Sequence, residues 1–156
     1  MYQTRSFRSA LLAVFIVLLS LSLVSCGDNG YADAANQALA NYNSASGAAI
    51  DQLSKINDDN SMVSDPTWKK DTLKVLDSFQ AAGQAFASLP EAPDSFKKAD
   101  GLMKKTAFEI QTFVDTGKRM VNNEDINEVD ALNSQLDKIN DLITQIDAAI
   151  EEGNNN

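Results

Sequence analysis

Apolar side chains recur at alternating spacings of three and four residues near the end of this chain. The clearest series consists of Val129, Leu132, Leu136, Ile139, Ile143, Ile146 and Ile150. That spacing places all of these side chains on one face of an α-helix, whereas a strand would need an apolar residue at every second position. A helix with one apolar face must bury that face, so this segment constrains the chain to pack helix on helix.

Three earlier segments have the same periodicity, so the sequence predicts four helices. We expect them to span residues 31 to about 57, 66 to about 89, about 94 to 121, and 125 to 153. Their similar lengths and short connections predict an all-α fold, an antiparallel up-down-up-down four-helix bundle. The alternative is a core of the last three helices, with the first helix attached loosely because its apolar face is mostly alanine.

Local signals mark several helix ends. Asp65 precedes Pro66, and an Asp cap followed by Pro at the first helical position is a common helix start. The segment Asp125-Ile126-Asn127-Glu128 fits a capping box, in which the Glu side chain reaches back to the backbone N–H of the Asp. Gly153 is expected to end the last helix and to leave a polar tail at 153–156.

The first 25 residues have a different character. Arg5 and Arg8 precede an apolar run of 15 residues, Ala10 to Val24. A run of this length with a basic start is typical of a secretory signal peptide, and it is shorter than the roughly 20 residues that span a bilayer. We therefore expect the bundle to follow a cleaved signal peptide. An uncleaved hydrophobic anchor is the alternative.

A four-residue motif at the end of the apolar run indicates how that segment is processed. Leu23, Val24 and Ser25 precede Cys26, which is the only cysteine in the chain. The motif resembles the bacterial lipobox. The resemblance implies that residues 1–25 are removed and that Cys26 carries a diacylglycerol unit on its thiol. Residues 26–30 would then be the lipidated Cys26 and a short tether, whose four residues 27–30 reach only about 13–14 Å, between the membrane and a bundle domain at 31–152.

The resemblance to bacterial lipoproteins also implies a location. The domain is expected at the extracytoplasmic face of the cell membrane, attached through the lipid on Cys26. Gly27 follows the cysteine, where an Asp would be typical of lipoproteins retained at the inner membrane, so an outer membrane is expected if the organism has one. Acyl chains hold a protein at a membrane without electrostatic help.

The charge of the mature chain excludes one class of partner. The full chain has 13 basic and 22 acidic side chains, and removal of Arg5 and Arg8 leaves a formal net charge of −11. Such a domain is repelled by nucleic acid, so no nucleic-acid partner is expected. The acidic residues concentrate in the first and last predicted helices. Lysines lie towards both ends of the middle two, as solvated surface or as a contact for a small anion or a partner.

Few residues in this chain are suited to catalysis. There is no histidine and a single cysteine, so the residues do not support a His-based or Cys-based metal site within one chain, and no cofactor is expected. The acids of the last helix that fall off its apolar face should be solvated, and these are Asp130, Asp137, Asp141 and Asp147. Without a pair of acids in one cleft we do not expect an enzyme.

Residues 66–152 resemble a loose class of small helical-bundle envelope lipoproteins of unassigned function. A Trp-led helix, the break LPEAPDSF, the acidic turn NNEDINE and the heptad-like final helix carry that resemblance. We expect a protein-interaction or structural module that binds another envelope protein, or itself, through a helix face. The alternative is a sensory bundle that holds a small apolar ligand between Phe79, Phe86 and Phe113. Phe108 lies beside the apolar face and is expected to be partly exposed.

Overall fold

The computed structural model describes residues 29–155, and within that range the chain forms helices and no strand. Four long helices make up the structure: α1 (Asn29–Ser54), α2 (Pro66–Ala87), α3 (Lys97–Asn123) and α4 (Val129–Asn154). They pack against one another as a helical bundle, which confirms the predicted all-α class and the number of helices. The closest backbone approaches are between successive helices, α1 with α2, α2 with α3, and α3 with α4.

Short 3₁₀ turns connect the helices. They lie at Lys55–Asn57 and Asn60–Ser64 before α2, at Asp94–Phe96 before α3, and at Ile126–Glu128 before α4. The Asp65 carboxylate accepts a hydrogen bond of 2.7 Å from the backbone N–H of Trp68. Pro66 is the first residue of α2, so the predicted start of this helix is confirmed.

The core is built from the predicted apolar faces of all four helices. Its largest fully buried apolar side chains are Phe79, Phe86, Leu76, Met103, Ile110, Met120, Ile139, Ile146 and Ile150. The first helix belongs to this core. Its Tyr42 ring lies 5.8 Å from the ring of Phe79 and 5.6 Å from that of Phe86, measured between centroids. Helix α1 is therefore a packed element of the bundle, in contrast to the loosely attached alternative.

Polar contacts also hold α1 to α2. The Gln52 side-chain amide donates a hydrogen bond of 3.1 Å to the hydroxyl of Thr72, and both residues are buried. The indole N–H of Trp68 donates to the backbone carbonyl of Gln52 at 3.2 Å. Because a buried polar group is costly unless it is hydrogen-bonded, these pairings fix how the end of α1 sits on the start of α2.

Two glycines set the distance between α2 and α3. A Cβ atom at Gly83 would lie 2.8 Å from the Cγ2 of Ile110, and one at Gly117 would lie 3.0 Å from a methyl group of Leu76. Both distances are shorter than side-chain contacts normally allow. The two helices therefore pack at a separation that leaves no room for a side chain at Gly83, whereas at Gly117 the end of the Leu76 side chain would have to shift by a few tenths of an ångström.

The end of α4 differs from the prediction. Gly153 was expected to end the helix, but α4 continues to Asn154 and Gly153 is buried. A Cβ atom there would lie 2.7 Å from the Phe96 ring and 2.7 Å from the carbonyl oxygen of Ser95. Gly153 allows α4 to pack closely on the residues that precede α3. The apolar pattern of α4 alone does not predict this contact with another helix.

The turn between α3 and α4 also departs from its prediction. Glu124 ends α3 with φ 55, in the left-handed region, and the backbone N–H of Asp125 donates to the carbonyl of Met120 at 3.1 Å. Asp125 does act as a cap, accepting from the backbone N–H of Asn127 at 3.0 Å. The prediction that the Glu128 side chain reaches back to the backbone N–H of Asp125 is wrong, because this carboxylate pairs with Arg119 at 3.2 Å instead.

Candidate interaction surface

A groove runs along the outer side of the α2–α3 pair. Its volume is about 290 Å³, and its lining residues are Gln80, Gly83, Gln84, Ala87, Lys104, Ala107, Phe108 and Gln111. The small side chains of Ala87 and Ala107 leave the space open, and Gly83 contributes only backbone atoms to its wall. The same glycine that lets α2 approach α3 therefore also forms part of the groove.

Phe108 forms one wall of this groove and is 69% exposed. Its position follows from helical geometry, since the buried residues nearest to it on α3, Thr106 and Ile110, point to the core. Leaving a phenylalanine in water forgoes roughly 1.5–3 kcal/mol of burial free energy. Ile126 is the other large exposed apolar side chain among the described residues, at 40%, but it does not line the groove.

A chain of polar side chains closes one end of the groove. The Lys118 ammonium donates to Gln80 at 2.8 Å and lies 2.7 Å from the carboxylate of Asp77. Gln80 donates to Gln111 at 2.9 Å, and Gln111 donates to Asp115 at 2.9 Å. All of these contacts except the Gln111–Asp115 bond, which lies within α3, cross from α2 to α3, and together they hold the surface side chains in fixed positions. The groove therefore lies between two helices whose surface side chains are joined by hydrogen bonds and an ion pair.

Most lysines near the helix ends pair with acids, which weakens the case for a small-anion site there. Lys69 lies 2.6 Å from Glu124, and Lys98 lies 2.6 Å from Glu152. Lys104 lies 2.8 Å from Asp100 on the same helix. The Lys69 pair, with a further hydrogen bond from Ser64, holds the pKa of Glu124 below its usual range. The pairs are largely exposed, so each contributes little to stability.

The core offers little room for a small apolar ligand. Phe79 and Phe113 meet edge to face, with ring centroids 5.6 Å apart, and Tyr42 packs on Phe79 and Phe86. An apolar cavity lies between α1, α3 and α4, lined by Ile50, Leu53, Ile56, Phe113, Met120, Val129, Leu132, Asn133 and Leu136. Its volume of about 10 Å³ corresponds to the space that one water centre needs.

Asp147 does not follow its prediction. Asp130, Asp137 and Asp141 are exposed as expected, but Asp147 is half-buried and its Oδ1 atom is buried without a hydrogen-bond partner. Desolvation and the nearby Glu151 charge raise its pKa to about 6.

A second set of buried polar atoms lies near the start of α1. The hydroxyl of Tyr31 and the Oδ1 of Asp100 are both buried and without a partner. Burial and the Asp100 charge raise the pKa of Tyr31 well above its usual range. Tyr31 also stacks on Phe96 with centroids 6.2 Å apart. Within residues 29–155, no three histidine, cysteine or acidic side chains are grouped so that they could hold a metal ion.

The lipobox residues Leu23, Val24, Ser25 and Cys26 lie outside the residues that the structure describes. Asn29 and Gly30, which were expected in the tether, belong to α1. No helix in the described part of the chain is long and apolar enough to cross a membrane. Comparison with protein-family models, with curated proteins and with solved structures finds no match to this chain.

Proposed function

We propose that this protein is a lipid-anchored, non-catalytic interaction module of the bacterial cell envelope, which contacts a partner protein through the α2–α3 groove. Cys26 carries the lipid after removal of residues 1–25, and the domain faces the extracytoplasmic side of the membrane. The lipobox motif supports the anchor. The observation that supports the interaction is the exposed Phe108 ring beside an open groove.

We further propose that the four helices alternate in direction as an up-down-up-down bundle. Contacts between opposite helix ends support this arrangement. Gln52 near the end of α1 bonds to Thr72 near the start of α2. Lys69 at the start of α2 pairs with Glu124 after α3, and a similar pairing joins the start of α3 to the end of α4. The anchored end of α1 would then lie beside the end of α4.

The groove suits a protein contact better than a small molecule. Interface cores are enriched in aromatic side chains that enter shallow pockets, and a few such anchors carry most of the binding energy. Phe108 is an aromatic side chain that is already exposed before binding. Gln80, Gln84 and Gln111 surround it with polar side chains, of which Gln80 and Gln111 are held in place by their own hydrogen bonds. The arrangement is that of an apolar anchor inside a polar rim.

A pull-down from detergent-solubilised envelope tests this proposal. The lipidated protein should recover a stoichiometric partner, and Phe108→Ser should reduce that recovery at least about ten-fold, since one anchor contributes about 2 kcal/mol or more. Ile126→Ser is the matched control, because it removes the other exposed apolar side chain outside the groove. Equal recovery with Phe108→Ser and Ile126→Ser, or no partner at all, would contradict the proposal.

The alternative function is a sensory bundle that binds a small apolar ligand. The packing of Tyr42, Phe79 and Phe113 argues against it, because the space between these rings is filled by the rings themselves. The cavity between α1, α3 and α4 has room for a single water, whereas ligand pockets usually enclose hundreds of cubic ångströms. We therefore favour the interaction module.

A further inference from the structure

Helices α1 and α4 pack against each other less closely than successive helices do. At one end of this pair, Ile50 of α1 and Asn133 of α4 line the small cavity described above. At the other end, Tyr31 of α1 and Gly153 of α4 both contact the Phe96 ring. The start of α1 therefore lies near the end of α4, and the residues between these two points face one another.

Polar side chains recur at intervals of seven residues on the facing sides of both helices. The α4 series continues from Asn133, and the α1 series leads to Ile50, so both lie on the sides that line the cavity. The polar members beyond the cavity, which we call the α1–α4 interface, are Asn36, Asn43, Asn140 and Asp147. All four are partly buried, and within residues 29–155 their side chains make no hydrogen bond to another residue.

Asp147 is the charged member of this interface. It lies six residues before Gly153, so it faces α1 about six residues after Tyr31, level with Asn36. Its Oδ1 atom is buried without a hydrogen-bond partner. Glu151 follows four residues later on the same side of α4, and desolvation together with this second acid raises the pKa of Asp147 to about 6.

No base lies opposite this carboxylate. Helix α1 contains no lysine or arginine, and its Asp33 is exposed on the outer side of the helix. The ring of Tyr31, the other ionisable side chain in this part of α1, is directed to the residues before α3. Helix α3 packs on the opposite flank of α4, where Gln135 donates to Thr116. A charge on Asp147 is therefore left without a compensating partner.

The half of α1 that faces Asp147 is weakly held. Its buried residues include Ala32, Ala35 and Ala38, which bury little apolar area. The hydrogen bonds that join α1 to α2 involve Gln52, near the other end of the helix. The first turns of α1 can therefore move away from α4 without breaking those bonds.

We propose that the α1–α4 interface opens and closes with pH, and that Asp147 controls this change. Deprotonation places a negative charge beside Glu151, and the first turns of α1 move away so that water reaches the carboxylate. Protonation removes the charge and lets α1 close. The closed form holds the proton more tightly, so it loses stability relative to the open form as pH rises from 3.8 to about 6. The inference does not depend on the α2–α3 groove.

Hydrogen exchange followed by mass spectrometry tests the proposal on the full chain in non-ionic detergent. At about pH 8, the backbone amides of residues 34–41 should exchange about five-fold faster in the unaltered protein than in Asp147→Asn, after allowance for solvent screening. At about pH 4 this ratio should fall below about two. In the unaltered protein at about pH 8, these amides should also exchange at least about ten-fold faster than the slowest amides of α2 and α3, because they open without global unfolding.

Two lysine variants test whether Asp147 faces α1 as described. Asn36→Lys places an ammonium group opposite the carboxylate and should slow the exchange of residues 34–41 at about pH 8. Gln37→Lys adds the same charge on the exposed side of α1 and should not slow it. Equal exchange of these amides in Asp147→Asn and the unaltered protein, exchange as slow as that of α2 and α3, or the same effect from both lysine variants would overturn the proposal.

Discussion

At the scale of single residues, the position of an aromatic ring on its helix decides whether it is core or surface. Phe113 lies on the apolar face of α3 and is buried, whereas Phe108, five residues earlier, is 69% exposed. The spacing alone predicted that Phe108 lies beside the apolar face. Its place in a groove could not be predicted, because the groove depends on Gly83 and Ala87 of a different helix.

Asp147 should make stability depend on pH. Its pKa is raised to about 6 in the folded state, from 3.8, so folding favours the protonated form. The free energy of unfolding should therefore fall as pH rises from about 4 to about 6. Asp147→Asn should raise the stability at pH 7 by about 1 kcal/mol, after allowance for solvent screening of a half-exposed group.

Urea unfolding at a series of pH values measures this effect. The difference between Asp147→Asn and the unaltered protein should shrink as pH falls and vanish below the unfolded pKa of 3.8, where Asp147 is protonated in both the folded and the unfolded state. Asp137→Asn is the control, because Asp137 is exposed on the same helix. A difference that stays constant from pH 4 to pH 7 would contradict the assignment to Asp147.

Gly83 should not tolerate a side chain. The Cβ atom of alanine would lie 2.8 Å from the Cγ2 methyl and 3.1 Å from the Cβ branch point of Ile110, neither of which is the far end of a flexible side chain. We expect Gly83→Ala to lower the free energy of unfolding by about 1–3 kcal/mol, despite the better helix propensity of alanine. Gly101→Ala, with open space around its Cβ atom, should raise it by about 0.5–1 kcal/mol. Thermal unfolding of the two variants compares them directly.

At the scale of elements, helix interiors were easier to predict than helix ends. Periodicity identified the buried faces of α2, α3 and α4, because one helix face must be apolar whatever it packs against. The ends depend on contacts with other helices. Gly153 meets Phe96, and Glu128 pairs with Arg119, so neither residue plays the local role that its sequence position indicated.

The polar contact between α1 and α2 should contribute measurably to stability. Thr72→Val removes the hydroxyl that accepts from Gln52, and leaves the amide nitrogen of this buried side chain with a single long bond of 3.4 Å to the carbonyl of Trp68. We expect a loss of about 1–2 kcal/mol. Thr106→Val is the matched control, because the Thr106 hydroxyl is equally buried and bonds the carbonyl of Leu102 in its own helix.

Chemical denaturation of both threonine variants gives the comparison. Thr106→Val should change the free energy of unfolding by less than about 0.5 kcal/mol, because its loss leaves no other side chain unpaired. Equal losses for the two variants would show that the Gln52 contact does not stabilise the α1–α2 interface.

At the scale of the whole molecule, helix class and helix number followed from the sequence, whereas the candidate surface did not. Four apolar stripes with short connections leave few ways to bury every stripe, so the bundle is strongly constrained. A groove is a property of two helices at a given separation. Gly83 and Gly117 lie where the two helices approach each other closely. From the sequence alone, a glycine inside a helix does not indicate which side chain of another helix packs against it.

Cys26→Ser tests the anchor independently of the bundle. Because the lipid is proposed to be attached at Cys26, the exported variant should appear in the soluble envelope fraction while its helical circular dichroism spectrum and thermal unfolding stay unchanged. Fractionation followed by immunoblotting gives the distribution. A Cys26→Ser protein that remains in the membrane fraction after export would favour the uncleaved hydrophobic segment as the anchor.

The Phe96 ring contacts both the first and the last helix. Tyr31 stacks on it, and Gly153 packs against it. The two ends of the described domain are therefore neighbours in space, and a few flexible residues would join them. A circularly permuted domain, closed between residues 155 and 29 and reopened in the exposed segment at 58–61, should keep the same core, with the proposed lipid attachment moved to the opposite end of the domain.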